Sequence, residues 1–193
     1  MRERIRSWLN NVPIADPIER QQAPLIQLLP SDVNPANCKA APKAGWATPG
    51  LVKSLECYDS GVGTGDSIYA YQMDSSANYQ ASWANFNTWA GVSSSSTSSC
   101  PPSGGRTQGS APWDDSGSGG SGFYPTAAGQ TLECGYFFAD TKSHQNEPTY
   151  AWSFPSEDAY VIAIGDAGSS FARLQSWWVN NSDPNASPRP SAP

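Results

Sequence analysis

The residues of this 193-residue chain best suited to chemistry are four cysteines, Cys38, Cys57, Cys100 and Cys134. Their expected chemistry is disulfide formation, because four cysteines in a Gly/Pro/Ser-rich chain of low charge density fit an oxidising compartment better than the cytosol. None stands in a Cys-x-x-Cys spacing and the single histidine is His144, so the common zinc sites lack their ligands and no metal is expected. Four cysteines admit three connectivities. A repeat singles out one of them: Ser54-Leu55-Glu56-Cys57 returns as Thr131-Leu132-Glu133-Cys134. Equivalent cysteines should use equivalent upstream partners, which predicts Cys38–Cys57 and Cys100–Cys134 and closes two short loops.

Other residue groups carry weaker chemistry. Gly61-Val62-Gly63-Thr64-Gly65 has the look of a phosphate loop, but such a loop must open a helix, and here a strand comes next with no lysine. It reads as a hairpin turn. Asp114-Asp115-Ser116-Gly117-Ser118-Gly119 begins like a calcium loop, yet the twelfth position is Pro125 where a bidentate glutamate is needed. His144 sits in the polar stretch Lys142–Glu147 with no evident nucleophile, and a Ser-His-Asp site is recognised by geometry. Asp59, Asp66, Asp74, Asp140, Glu147, Glu157 and Asp158 lie mostly at turns, and no pair is marked out as the two facing carboxylates of a glycosidase. No catalytic residue and no cofactor is therefore predicted. Trp46, Trp113, Tyr124 and Tyr136 flank or occupy loops, and loop aromatics offer an apolar face with a polar edge to sugars and peptides. These four are the candidate ligand-binding residues, and Trp113 is expected to dock on an apolar groove.

The elements that must hold these residues are set by pattern. Leu51–Tyr58 and Asp66–Met73 read as strands, and Ser76–Ala90 as a helix capped by Asp74 or Ser75. In that helix Tyr79, Trp83, Phe86 and Ala90 fall on one face. Strands are expected over 129–138, Thr149–Phe154 and Ala159–Gly165, the last placed centrally because Tyr160–Ile164 is continuously apolar. A final helix capped by Ser169 or Ser170 turns Phe171, Leu174, Trp177 and Trp178 inward. The predicted fold is α+β: an antiparallel sheet of about five strands, two helices packed on one face, and two disulfides. Residues 1–30 read as a partly ordered leader with a narrow stripe at Ile18, Leu25, Ile26 and Leu29. Residues 31–179 form a single domain with a flexible Ser/Gly-rich excursion at 91–122, and 180–193 a disordered tail. The two halves are expected to be related strand–strand–helix units, since Tyr69-Ala70-Tyr71 returns as Tyr150-Ala151-Trp152.

The net charge of −6 disfavours nucleic acid and anionic lipid as partners. No run of about 18 apolar residues occurs, so no membrane span is expected within this chain. Arg2, Arg4 and Arg6 open the chain, but Asn10, Asn11, Pro13 and Asp16 interrupt the apolar stretch that a signal peptide needs next. No signal peptide is read, and export or anchoring is expected to use a segment outside this sequence.

The order of Leu28-Leu29-Pro30, Cys38, Leu55 with Cys57, Tyr69, Cys100-Pro101, Trp113, Gly129, Cys134-Gly135, Trp152, and Leu174 with Trp177-Trp178 resembles a family of mycobacterial and other actinobacterial extracytoplasmic domains. These occur as secreted proteins or lipoproteins and as the sensor part of transmembrane serine/threonine protein kinases. The resemblance implies an extracytoplasmic, non-enzymatic sensor or ligand-binding domain of a cell-envelope protein, secreted or membrane-anchored, with a small-molecule, glycan or peptide ligand. The alternatives are a carbohydrate- or peptidoglycan-binding module and a small secreted hydrolase.

Overall fold

The computed structural model describes residues 24–30, 32–58, 67–92, 96–97, 99–102, 104, 107–112, 131–136, 147–165 and 170–181. Its strands are β1 (Cys38–Ala40), β2 (Leu51–Tyr58), β3 (Ser67–Met73), β4 (Ser96–Thr97), β5 (Gln108–Pro112), β6 (Thr131–Gly135), β7 (Thr149–Phe154) and β8 (Ala159–Ile164). Helix α1 is Ser76–Ala90 and helix α2 is Phe171–Asn181. Among the described residues the strands join one sheet in the order β1-β2-β3-β8-β7-β6-β5-β4. All neighbours are antiparallel except β4 and β5.

The middle of this sheet is buried on both faces, and that decides the architecture. Every residue of β7 is buried, and β8 is buried up to Ile164. A strand buried on both faces needs cover on both sides. Helix α1 supplies it on one face, where Tyr79, Phe86 and Ala90 pack with Tyr71, Met73, Tyr160 and Ile162. Helix α2 supplies it on the other, where Leu174, Trp177 and Trp178 pack with Cys57, Ile68, Tyr150, Trp152 and Val161. Helices α1 and α2 thus lie on opposite faces, not on one as the order of elements suggested; the described residues form eight strands where about five were expected, and residues 24–26 add a third helical segment to the expected two. The α+β content and both disulfides hold.

Local signals account for the helix ends. Ser75 Oγ accepts from the Asn78 N–H at 3.4 Å, the N-cap bond that satisfies a donor with no partner inside the helix. Gly91 closes α1 at φ 70°, a left-handed conformation that glycine takes without a Cβ penalty. Ser170 Oγ caps α2 through the Arg173 N–H.

Two stretches set aside on composition join the folded domain, one in a core and one in the sheet. Leu25, Leu28 and Leu29, assigned to the leader, are buried beneath α2 with Val33. The indole N–H of Trp177 ties that segment down by donating to Asp32 Oδ2 at 2.8 Å. Residues 96–97 and 108–112, assigned to the excursion, are β4 and β5.

Cys38 and Cys57 face each other directly across β1 and β2 and are bonded, and Cys100 is bonded to Cys134. The second bridge needs a close crossing. A Cβ on Gly109 would run into the Ser99 carbonyl oxygen, so only glycine fits under the segment that carries Cys100.

The repeat survives in the strands and fails in their register. Cys57 opposes Ile68, but Cys134 opposes Tyr150, so the two aromatic triplets are offset by one residue against their cysteine strands. One residue of offset exchanges faces. Tyr69 and Tyr71 therefore point towards α1, while Tyr150 and Trp152 point towards α2.

Candidate functional site

On the α1 face, one row of directly opposed residues crosses the sheet: Lys39, Glu56, Tyr69, Ile162, Ala151, Glu133 and Ser110. Directly opposed antiparallel residues share a face, so the pleat alone brings these groups to one side. Over the middle of the row lies a cavity of about 230 Å³. Its floor is Tyr69, Tyr71 and Ile162, and its cover is Pro42, Lys43, Ala44 and Trp46.

A chain of hydroxyl groups fixes the cover. Trp46 stands in a single turn, Gly45–Ala47, and its ring lies 4.4 Å from that of Trp89 and 5.8 Å from Phe86, both on α1. Ser82 Oγ donates to the Trp46 carbonyl oxygen at 3.1 Å and lies 2.9 Å from the Tyr160 hydroxyl. Serine has one hydroxyl proton, so Tyr160 must be the donor to Ser82. Thr48 Oγ1 adds a bond to the Gly45 carbonyl at 3.0 Å.

The floor is fixed by Glu56. Its Oε1 accepts from the hydroxyl groups of Tyr58 and of Tyr69, the latter at 3.1 Å, and its Oε2 faces Lys39 Nζ at 3.3 Å. Lys39 Nζ also stands 4.8 Å from the centre of the Tyr58 ring. Burial pushes the Glu56 carboxyl up, but the bonds from Tyr58, Tyr69 and Lys39 outweigh it and hold the group below its ordinary range. Tyr69 is pushed up to about 12, first by burial and then by the adjacent Glu56 charge. At neutral pH the phenol stays a donor, and the ring is held against the cavity.

At the other end of the row Glu133 has a different setting. Its side chain is 3% exposed; Ser110 Oγ donates to Oε1 at 3.1 Å, while Oε2 has no partner among the described residues. Burial raises it to about 7 against the Ser110 bond. Glu56 and Glu133 are four strand spacings apart, about 19 Å. That is roughly twice the widest separation at which two carboxylates share a glycosidic bond. Among the described residues no three His, Cys, Asp or Glu side chains converge where they could hold a metal ion.

Of the four loop aromatics expected to bind ligand, the structure places Trp46 at the cavity. Tyr136 lies on the opposite face, half-buried, its ring 4.7 Å from that of Phe171. The two do not form one surface. Trp113, Tyr124, His144, the 61–65 glycine loop and the Asp114–Pro125 stretch lie outside the described residues. Sequence reasoning placed Tyr69 and Tyr71 in one strand and Ile162 in a central strand without giving them a role in a site, and passed over Glu56 and Glu133. The signal for the two glutamates was present in the repeat itself, a carboxylate set between two inward-facing residues of a strand.

No protein-family model matches the chain, and neither a curated protein nor a solved structure matches it. Two disulfides are consistent with an oxidising compartment outside the cytoplasm, and no helix among the described residues is long and apolar enough to cross a membrane.

Proposed function

We propose that this chain is a non-enzymatic extracytoplasmic ligand-binding or sensor domain of a cell-envelope protein, whose ligand places one ring or apolar side chain in the cavity beneath Trp46. The cavity is the observation that carries this reading. It is walled by three aromatic side chains and Ile162, has the exposed Lys43 at its rim, and is preformed by the Ser82 and Glu56 hydrogen bonds. Preformed apolar pockets with a few oriented polar groups are the usual form of small-ligand sites. At about 230 Å³ it is smaller than the roughly 300 Å³ at which drug-sized sites begin, so it suits one ring or one side chain of a larger ligand. The resemblance to actinobacterial extracytoplasmic domains supports the same class, and an envelope glycan or peptide is the corresponding ligand.

The test is titration of tryptophan fluorescence with N-acetylglucosamine oligomers and with tripeptides ending in phenylalanine. Saturable quenching by one of the two, weakened at least tenfold in Trp46→Ala with the circular dichroism spectrum unchanged, is the expected result. Quenching that persists unweakened in Trp46→Ala places binding elsewhere and contradicts the reading.

A further inference from the structure

Glu133 is the buried group for which the cavity has no use, and its surroundings are unusual for a glutamate. It stands in the middle of β6, opposite Ala151 of β7 and Ser110 of β5. From β7 the flanking residues on the same face are Thr149 and Ser153, and from β5 the described one is Gln108. From β6 itself they are Thr131 and Gly135. Helix α1, whose Trp83 donates to Thr131 Oγ1 at 3.1 Å, contains no acidic or basic residue. No described charged side chain faces Glu133 from any of these elements. A carboxylate in such a place loses its hydration and gains one hydroxyl bond in return, which leaves the neutral acid as the form the fold accepts.

The elements on its outer side are those least able to resist. Strand β5 is Gln-Gly-Ser-Ala-Pro, with little apolar surface to bury, and beyond it, among the described residues, comes the two-residue β4. The inner neighbour β7 is buried throughout. Relief of a charge on Glu133 therefore runs outward, through separation of β5 from β6. The Cys100–Cys134 bridge keeps the segment tethered when this happens.

We infer that Glu133 is a proton-controlled latch on the outer edge of the sheet, closed when the carboxyl is neutral and released when it ionises. The latch stands independently of the ligand reading, because it involves neither the cavity nor Trp46. Its sign is fixed by linkage. The folded group holds its proton more tightly than the exposed one, so closure is favoured at acid pH and weakens as pH rises from the ordinary glutamate range to about 7, then levels off. A chain built this way loosens its sheet edge on passing from an acidic to a neutral medium.

The experiment is amide hydrogen exchange on the intact, oxidised chain from pH 5 to pH 8, corrected for intrinsic exchange, in wild type and Glu133→Gln. Glutamine keeps the shape and the acceptor for Ser110 and cannot ionise. In the wild type the amides of β5 should exchange faster than those of β8 at every pH. Their protection should fall at least tenfold between pH 5 and pH 7.5. In Glu133→Gln that pH dependence should vanish. A pH dependence that survives in Glu133→Gln overturns the latch, and so does exchange of β5 in step with β8. Should the variant fail to fold, the carboxyl carbon shift of Glu133 in the wild type decides: titration at an ordinary glutamate value overturns the inference, and a midpoint near neutrality upholds it.

Discussion

Glu56 and Glu133 occupy the same place in the repeated tetrapeptide, and their neighbours give them opposite proton affinities. Three donors surround Glu56, so its ionised form is the favoured one. A carboxyl held low contributes stability above its unfolded range near pH 4.5 and loses it as pH falls through the folded value. Tyr69→Phe removes one of these donors and leaves the buried carboxylate with two. We expect a loss of about 1–2 kcal/mol at pH 7 in urea denaturation. At pH 3, where the carboxyl is protonated, the same substitution should cost much less. An equal loss at both pH values would show that the Tyr69 hydroxyl does not act through the Glu56 charge. The contrast was hidden in the sequence because Leu-Glu-Cys reads alike in both halves. What separates the two glutamates is the residue opposite, Tyr69 in one case and Ala151 in the other, and that depends on register.

Elements with strong side-chain patterns were legible in this chain, and elements held by backbone pairing were not. Helix α1 and strands β2 and β7 have the bounds that their patterns imply, because burial of alternate or one-face residues shapes both sequence and structure. Strands β1, β4 and β5 are short, polar or Gly-containing edge segments, whose stabilisation comes from main-chain bonds and from the two disulfides. Composition carries no trace of that. Which face each helix covers was equally unreadable, since an amphipathic stripe fixes what is buried and not the side on which the chain arrives. The crossing over β5 gives an element-scale prediction. Gly109→Ala puts a methyl group against the Ser99 carbonyl, so it should destabilise the chain by roughly 1–3 kcal/mol and slow oxidation of Cys100 with Cys134. Thermal denaturation and non-reducing peptide mapping measure both. Wild-type behaviour in Gly109→Ala would mean that the 99–102 segment does not pass where the structure has it.

For the molecule as a whole, burial on both faces of β7 and β8 divides the interior into two cores, one under each helix. The acid-favouring Glu133 and the acid-sensitive Glu56 then act on the same fold. Their sum predicts a thermal stability that is highest near pH 4.5–5. Glu133 alone would account for a decline on the order of 2–3 kcal/mol by pH 7. A melting temperature that rises from pH 5 to pH 7 would contradict this. The two-core arrangement also offers the most direct measurement of the proposed ligand site. Ile162 lines the cavity on the α1 face, whereas Ile68, on the adjoining strand β3, is buried on the α2 face. With isoleucine δ1 methyl groups labelled, a nuclear magnetic resonance titration with a panel of single-ring sugar and aromatic fragments reports on both faces at once. Binding fragments should shift the Ile162 methyl resonance and leave Ile68 in place. Fragments that shift Ile68 and not Ile162, or a panel in which none shifts Ile162, would contradict the proposed site.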